Sequence, residues 1–333
     1  MTKVATIDTR KFVSLVITAA MILATVMALI VPKVARAATE DTVSGQFGVN
    51  DGTFTVDNVT IWSMASVAVT TMAPHTPFHV KVDITNTNGL DKITQIDVIL
   101  FYESDGTYDS SDEGGSNAAA DQATLRWTPA ADFVLAGPGS TTWACDNSSS
   151  VEPANLAVPN GSFQFHVTIG DVATHTATGK WFAYAVATDA SISPHFHGSA
   201  LDMSWYGAIA ADASVTWTAA APGTDYTQQD VSVNYIANGD YVKSARASAT
   251  WGAATLTDSD TLVSNEFALK VDDQNSDEPI GSSRVTSSYE SIGSDGQTDE
   301  LGDTNTSGLW LKLGSPFTKG TYNGTVYLQI SNT

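Results

Sequence analysis

The residues that could do chemistry are mainly carboxylates, and they gather in two stretches. Glu103, Asp105, Asp109, Asp112 and Glu113 place five carboxylates within eleven residues. Asp272, Asp273, Asn275, Asp277 and Glu278 crowd a second stretch, where Gln274 adds another amide. Carboxylates held this close repel one another, and a cation relieves the repulsion. Calcium takes about six to eight oxygen ligands, often from flexible loops, so it is the cofactor expected at one or both stretches. Neither has the glycine and final glutamate spacing of an EF-hand. A bare solvated loop is the competing reading.

Imidazoles come next. His195 and His197 flank Phe196 and share a face if that segment is a strand. Zinc or copper would accept such a pair, given a third ligand from elsewhere. His79 and His166 occupy the polar phase of alternating runs and are expected to face solvent. Nucleophilic chemistry has no visible seat. There is no Gly-x-Ser-x-Gly elbow, and Cys145 lacks the surroundings of a known cysteine nucleophile. Cys145 is the sole cysteine, so no internal disulfide forms, and a buried thiol is expected. Any acidic chain offers carboxylate pairs for glycoside hydrolysis, but nothing selects one here. The chain is therefore read as non-enzymatic. N-glycosylation sequons begin at Asn58, Asn147, Asn160, Asn305 and Asn323. Trp62, Trp127, Trp181, Trp217 and Trp251 sit in strand-like alternation, where packing is their usual role.

Composition and the N-terminus bound the setting. Lys3, Arg10 and Lys11 precede an uncharged run, Phe12 to Val31, and Pro32 breaks it. Ala35-Arg36-Ala37 supplies a small-x-small cleavage pattern, so residues 1–37 read as a signal peptide cut after Ala37. An uncleaved leader of that length would span a bilayer instead, and would be the chain's only route to a membrane. Both readings export the remainder. The whole chain carries a net charge of −21. The leader removes Lys3, Arg10, Lys11, Lys33 and Arg36 but only Asp8, so ten basic and 35 acidic residues remain, about −25. Such a surface repels phosphate backbones and excludes nucleic acid as a partner. It favours cations.

The elements that would position these groups are strands. Period-two alternation recurs, as in Phe78, Val80, Val82 and Ile84, and again in Phe163, Phe165 and Val167. Further strands are expected over Ile93–Tyr102, Trp181–Ala187 and Ser214–Thr218. After a linker at Ala219–Thr224 they resume over Val231–Ile236, Tyr241–Trp251, Glu266–Val271, Leu309–Leu313 and Tyr322–Ile330. Turn residues punctuate them at short intervals. The pattern predicts an all-β chain of two β-sandwich domains in tandem. The first spans 38–220 with long loop insertions, the second 226–333.

One segment carries a resemblance. Pro77-Phe78-His79-Val80-Lys81-Val82-Asp83-Ile84-Thr85-Asn86-Thr87-Asn88-Gly89-Leu90, followed by Ile93, Ile96, Val98 and Leu100, resembles the strand–turn–strand of Ig-like domains in prokaryotic exported surface proteins. Gly320-Thr321-Tyr322-Asn323-Gly324, running into Thr325–Ile330, is similar to the closing strand of such modules. The resemblance implies Ig-like sandwiches in adhesion, lattice or filament roles, and does not choose among them.

A non-catalytic subunit of a surface layer or filament is the leading expectation, with copies of itself or other surface proteins as partners. Ala38 to Phe47, polar and then alternating, could complete a neighbour's sheet edge. A surface adhesin or glycan-binding module, carried by exposed tryptophans and long loops, is the second reading. A secreted hydrolase is the third.

Overall fold

The computed structural model describes residues 52–110, 118–137, 140–190, 192–212, 214–218, 220–273 and 284–333. Its first strands are β1 (Phe54–Ser63), β2 (Thr71–Met72), β3 (Pro77–Asn86), β4 (Gln95–Glu103), β5 (Gln122–Thr128) and β6 (Asp132–Gly137). Next come β7 (Ala144–Cys145), β8 (Asn160–Thr168), β9 (Lys180–Thr188), β10 (His195–His197), β11 (Asp202–Met203) and β12 (Gly207–Ala211). The chain continues with β13 (Thr227–Ala237), β14 (Tyr241–Ala247), β15 (Thr250–Trp251), β16 (Ala254–Leu256) and β17 (Glu266–Asp272). It ends with β18 (Arg284–Val285), β19 (Glu290–Asp295), β20 (Asp303–Leu313) and β21 (Val326–Asn332). Among the described residues the sole helical element is a single 3-10 turn, Leu90–Lys92.

The strands build two hydrophobic cores, each between facing sheets. In the first, the sheet β1-β3-β8-β7 covers the sheet β10-β9-β4-β5-β6. Side chains alternate faces along a strand, so the inward phase of β3 is Phe78, Val80, Val82 and Ile84, all buried. Aromatics bridge the sheets: the Trp127 and Phe163 rings lie 4.7 Å apart, Phe133 and Phe165 4.9 Å. Strand β9 is buried on both faces. Phe182 and Tyr184 on its outer side join Phe101 in a small satellite cluster flanked by Tyr108. Burying each such large apolar side chain contributes about 1.5–3 kcal/mol, which a chain without disulfides depends on.

In the second core, the sheet β12-β13-β20-β17-β16-β15, with β18 beside β17, faces the sheet β19-β14-β21. Strand β12 pairs with β13, Gly207 opposite Ala237 and Ala211 opposite Val233. Val215 and Trp217 pack against this same core. The sequence pattern had grouped both with the first region and read Ser214–Thr218 as a strand. No strand forms there. The passage between cores comes earlier, at Met203 to Trp205, because β12 finds an antiparallel partner downstream that local alternation cannot reveal.

Polar groups tie the two cores together. Asn238 is fully buried, and its Nδ2 donates to the carbonyls of Ala173 and Ser204, each at 2.9 Å. Gln297 Nε2 donates to Val172 O at 2.7 Å. The Glu300 carboxylate accepts from the Ser140 hydroxyl, the Thr141 N–H and the Thr142 hydroxyl.

Candidate functional site

Among the described residues the second core holds a cavity along one side. Strand β21 hydrogen-bonds to β14 on one edge, and among the described residues its other edge has no strand partner. Strand β12 ends the facing sheet. Between them runs a cavity of about 1000 Å³, lined by Trp217, Trp251, Leu309, Leu311, Phe317 and Tyr322, with Val326 and Leu328 of β21 at its wall. Alternation explains the wall: Val326, Leu328 and Ile330 turn inward while Tyr327 and Gln329 turn out. Trp251 forms part of the floor, 6.0 Å from the Trp217 ring and 5.0 Å from Phe267. Gly324 permits this close packing, since a Cβ there would lie 1.9 Å from Trp251 Cδ1. The Trp217 indole is fixed by donating to Thr227 O at 2.9 Å, and Phe317 packs edge-on against Tyr322 at 5.1 Å. Arg246 stacks over the outward Tyr327 ring at 3.7 Å. A strand edge without a partner among the described residues, beside an apolar trough, offers what an added strand requires: main-chain hydrogen bonds along the edge and pockets for alternate side chains.

The acidic stretches look different in three dimensions. Glu103 is buried, and its Oε1 accepts the Asp109 N–H at 3.2 Å. Asp105 Oδ1 accepts the Thr107 N–H at 2.8 Å, closing a turn. Asp112 and Glu113 lie outside the described residues. In the second stretch Asp272 ends β17, and Asp273 Oδ2 sits 3.0 Å from Lys243 Nζ. Asn275, Asp277 and Glu278 lie outside the described residues, as does the cleavage position Ala37. Among the described residues no group of three or more histidine, cysteine or acidic side chains converges on a point that could hold a metal.

His195 and His197 share an exposed face of edge strand β10. The His197 ring stacks on Tyr108 at 3.8 Å, while His195 tilts against Tyr184 at 5.6 Å. His79 and His166 do not face open solvent. They stand opposite each other across β3 and β8 with rings 5.4 Å apart, and both Nδ1 atoms are buried. The Asp146–Ser150 loop lies against His166, Ser150 Oγ accepting the His166 N–H. Burial, and then the neighbouring His166, pull the His79 pKa down.

The sequons scatter. Asn160 and Asn323 are exposed. Asn58 is half-buried at a bulge of β1. Asn147 Oδ1 accepts the Phe133 N–H, and the hydroxyl partner of Asn305, Ser307, is fully buried. Trp127, Trp143, Trp181, Trp251 and Trp310 are buried and Trp62, Trp205 and Trp217 half-buried, so no exposed tryptophan row exists. Cys145 is half-buried, and burial pushes its thiol up to about 11.

The sequence reading missed Lys243. It points into the second core, 1% exposed, between the rings of Tyr235 and Tyr241 at 5.1 and 5.9 Å. Burial alone would lower its pKa, but Asp273 at 3.0 Å and Asp295 at 3.3 Å outweigh it and hold the pKa up. The legible sign was its phase: Tyr241, Lys243, Ala245 and Ala247 all turn inward on β14.

No family of known proteins matches the sequence, and no curated protein does. Among solved structures the chain is similar to the CsuC–CsuE chaperone–tip adhesion subunit pre-assembly complex of archaic Csu pili from Acinetobacter baumannii. The identity is 10%, the match covers 83% of this chain and 92% of that one, and the TM-score is 0.28. It is similar also to a Salmonella alpha-2-macroglobulin reacted with methylamine, at 10% identity and a TM-score of 0.22, covering 81% of this chain and 16% of that one. TM-scores this low carry nothing about function.

Proposed function

We propose that this chain is an exported, non-catalytic building block of a surface layer or filament, in which subunits join by strand addition at the β21 edge. The observation that supports this is the edge of the second core: β21, without a second strand partner among the described residues, beside an apolar trough lined by Trp217, Trp251 and Tyr322. A monomer gains by covering such apolar surface. The proposed occupant is residues 38–47 of a second copy, whose polar-then-alternating sequence suits an added strand and whose position places it at the head of the exported chain. Purified chain lacking 38–47 is expected to stay monomeric by light scattering and electron microscopy, whereas the chain starting at Ala38 forms polymers. Equal polymerisation of both would refute strand addition.

Calcium at the Glu103–Glu113 stretch is part of the same proposal, supported by carboxylate density alone. Isothermal titration with calcium chloride should show heat and a raised melting temperature; neither appearing would remove it.

A further inference from the structure

We propose that Lys243 and Asp273 condense to an intramolecular amide that welds the two sheets of the second core together. The proposal stands apart from assembly and rests on one buried cluster. Lys243 belongs to β14 of the three-stranded sheet, and Asp273 follows β17 of the facing seven-stranded sheet. Their side chains meet at 3.0 Å. The lysine is 1% exposed and the aspartate 16%. The rings of Tyr235 and Tyr241 lie 5.1 and 5.9 Å from Nζ. Asp295 of β19 brings a second carboxylate to 3.3 Å from the same nitrogen, and at 48% exposure it reaches solvent.

The local backbone makes room for this meeting. Gly293 of β19 stands opposite Lys243, beside a bulge. A Cβ on Gly293 would lie 2.5 Å from Asp273 Oδ2, so any other residue would push the carboxyl group away from the amine. A lysine held by packing on one sheet and a carboxyl group seated against a glycine of its neighbour form a preorganised pair. Orientation of this kind is worth effective molarities of about 10⁵ M and above.

Burial also favours the product. An ammonium and a carboxylate taken out of water carry a desolvation cost even where their attraction outweighs it, and a neutral amide carries none. Proton transfer from Nζ to Asp273 gives an amine and a neutral acid, the reactive pair. Nζ then attacks Cγ of Asp273. Asp295 takes a proton from the nitrogen of the tetrahedral adduct and delivers it to the departing hydroxyl, which leaves as water. One C–N bond forms and one C–O bond breaks. Asp295 ends as it began, no electrons are exchanged, and no co-reactant is needed. The amide that remains is neutral. With Cys145 alone, the chain has no disulfide to resist shear between the sheets, and this bond would supply that resistance.

The test is mass spectrometry of the purified full chain under denaturing conditions. Its mass is expected to fall short of the sequence mass, for the N-terminus observed, by one water. Proteolysis should yield a branched peptide joining the Lys243 segment to the Asp273 segment. Lys243→Arg should restore the full mass. Asp295→Asn keeps both bonding partners and alters an exposed side chain, so it should fold and yet show the full mass. An unshifted wild-type mass would overturn the proposal and leave a salt bridge. So would loss of water on a linear peptide, as from a succinimide at Asp295-Gly296 or another Asp-Gly pair. A branched peptide persisting in Asp295→Asn would remove Asp295 as the proton carrier.

Discussion

Gly324→Ala tests how the groove is built. Gly324 has no left-handed φ, so alanine meets no backbone strain there. What it meets is the Trp251 ring: Cδ1 at 1.9 Å, Nε1 at 2.0 Å and Cγ at 2.3 Å from the new methyl. Ordinary contact begins near 3.4 Å, so the indole must move by more than 1 Å. It has little freedom to do so, being 8% exposed and held between Trp217 and Phe267. Overpacking of a filled core costs about 1–3 kcal/mol, and a displaced indole belongs at the upper end, about 2–3 kcal/mol. Urea unfolding followed by tryptophan fluorescence measures the loss, and the native emission should shift as Trp251 moves. Gly320→Ala is the control, because its methyl finds Tyr322 at 3.4 Å and nothing closer. It should change stability by less than about 0.5 kcal/mol, as surface substitutions do. If the two variants proved equally stable, with unchanged emission, the packing argument for the groove floor would be refuted.

Three further outcomes are expected. Glu300 sits where the two cores meet; burial alone would raise its pKa, but hydrogen bonds from Ser140, Thr142 and Thr141 win and hold it low. A depressed carboxylate stabilises the fold above its unfolded pKa, about 4.3, and that stability fades as pH falls through the lower folded value. Urea midpoints should therefore drop on acidification below that range, and Glu300→Gln should flatten the drop. Cys145, held up to about 11 by burial, should react with iodoacetamide at pH 8 about a hundredfold more slowly in the folded than in the urea-unfolded chain, following its thiolate fraction. His79→Phe removes a group whose pKa is pulled down by burial and by His166. A lowered histidine makes the unfolded chain bind the proton first, so stability falls as pH drops below the unfolded value of about 6.5, and the substitution should lessen that acid destabilisation, read from melting temperature against pH.

Much of the strand content was legible because alternation is a local property. The phase of β3, β8 and the inward face of β14 follows from residues two apart, and the structure keeps it. Pairing was not legible. Gly207–Ala211 has no polar alternation to mark it, and becomes a strand only because β13 offers it a ladder. The histidines show the same divide: His79 and His166 occupy outward positions, but whether such a position meets water depends on what packs there, here each other's rings and, at His166, the Asp146–Ser150 loop.

The carboxylates that opened the sequence reading draw the line most clearly. Sequence alone determined an acidic, strand-rich chain with an apolar N-terminal run, since charge and alternation are sums and periods over neighbours. Only the tertiary structure decided which carboxylates matter to one another. Asp273 and Asp295, 22 positions apart in the numbering, meet at Lys243 on a third strand. Glu300 meets Ser140 and Thr142 from the far side of the chain. Neighbours in sequence repel and are screened by water, whereas these distant groups are brought together where water is scarce. There, a partner at 3 Å outweighs any cluster along the chain.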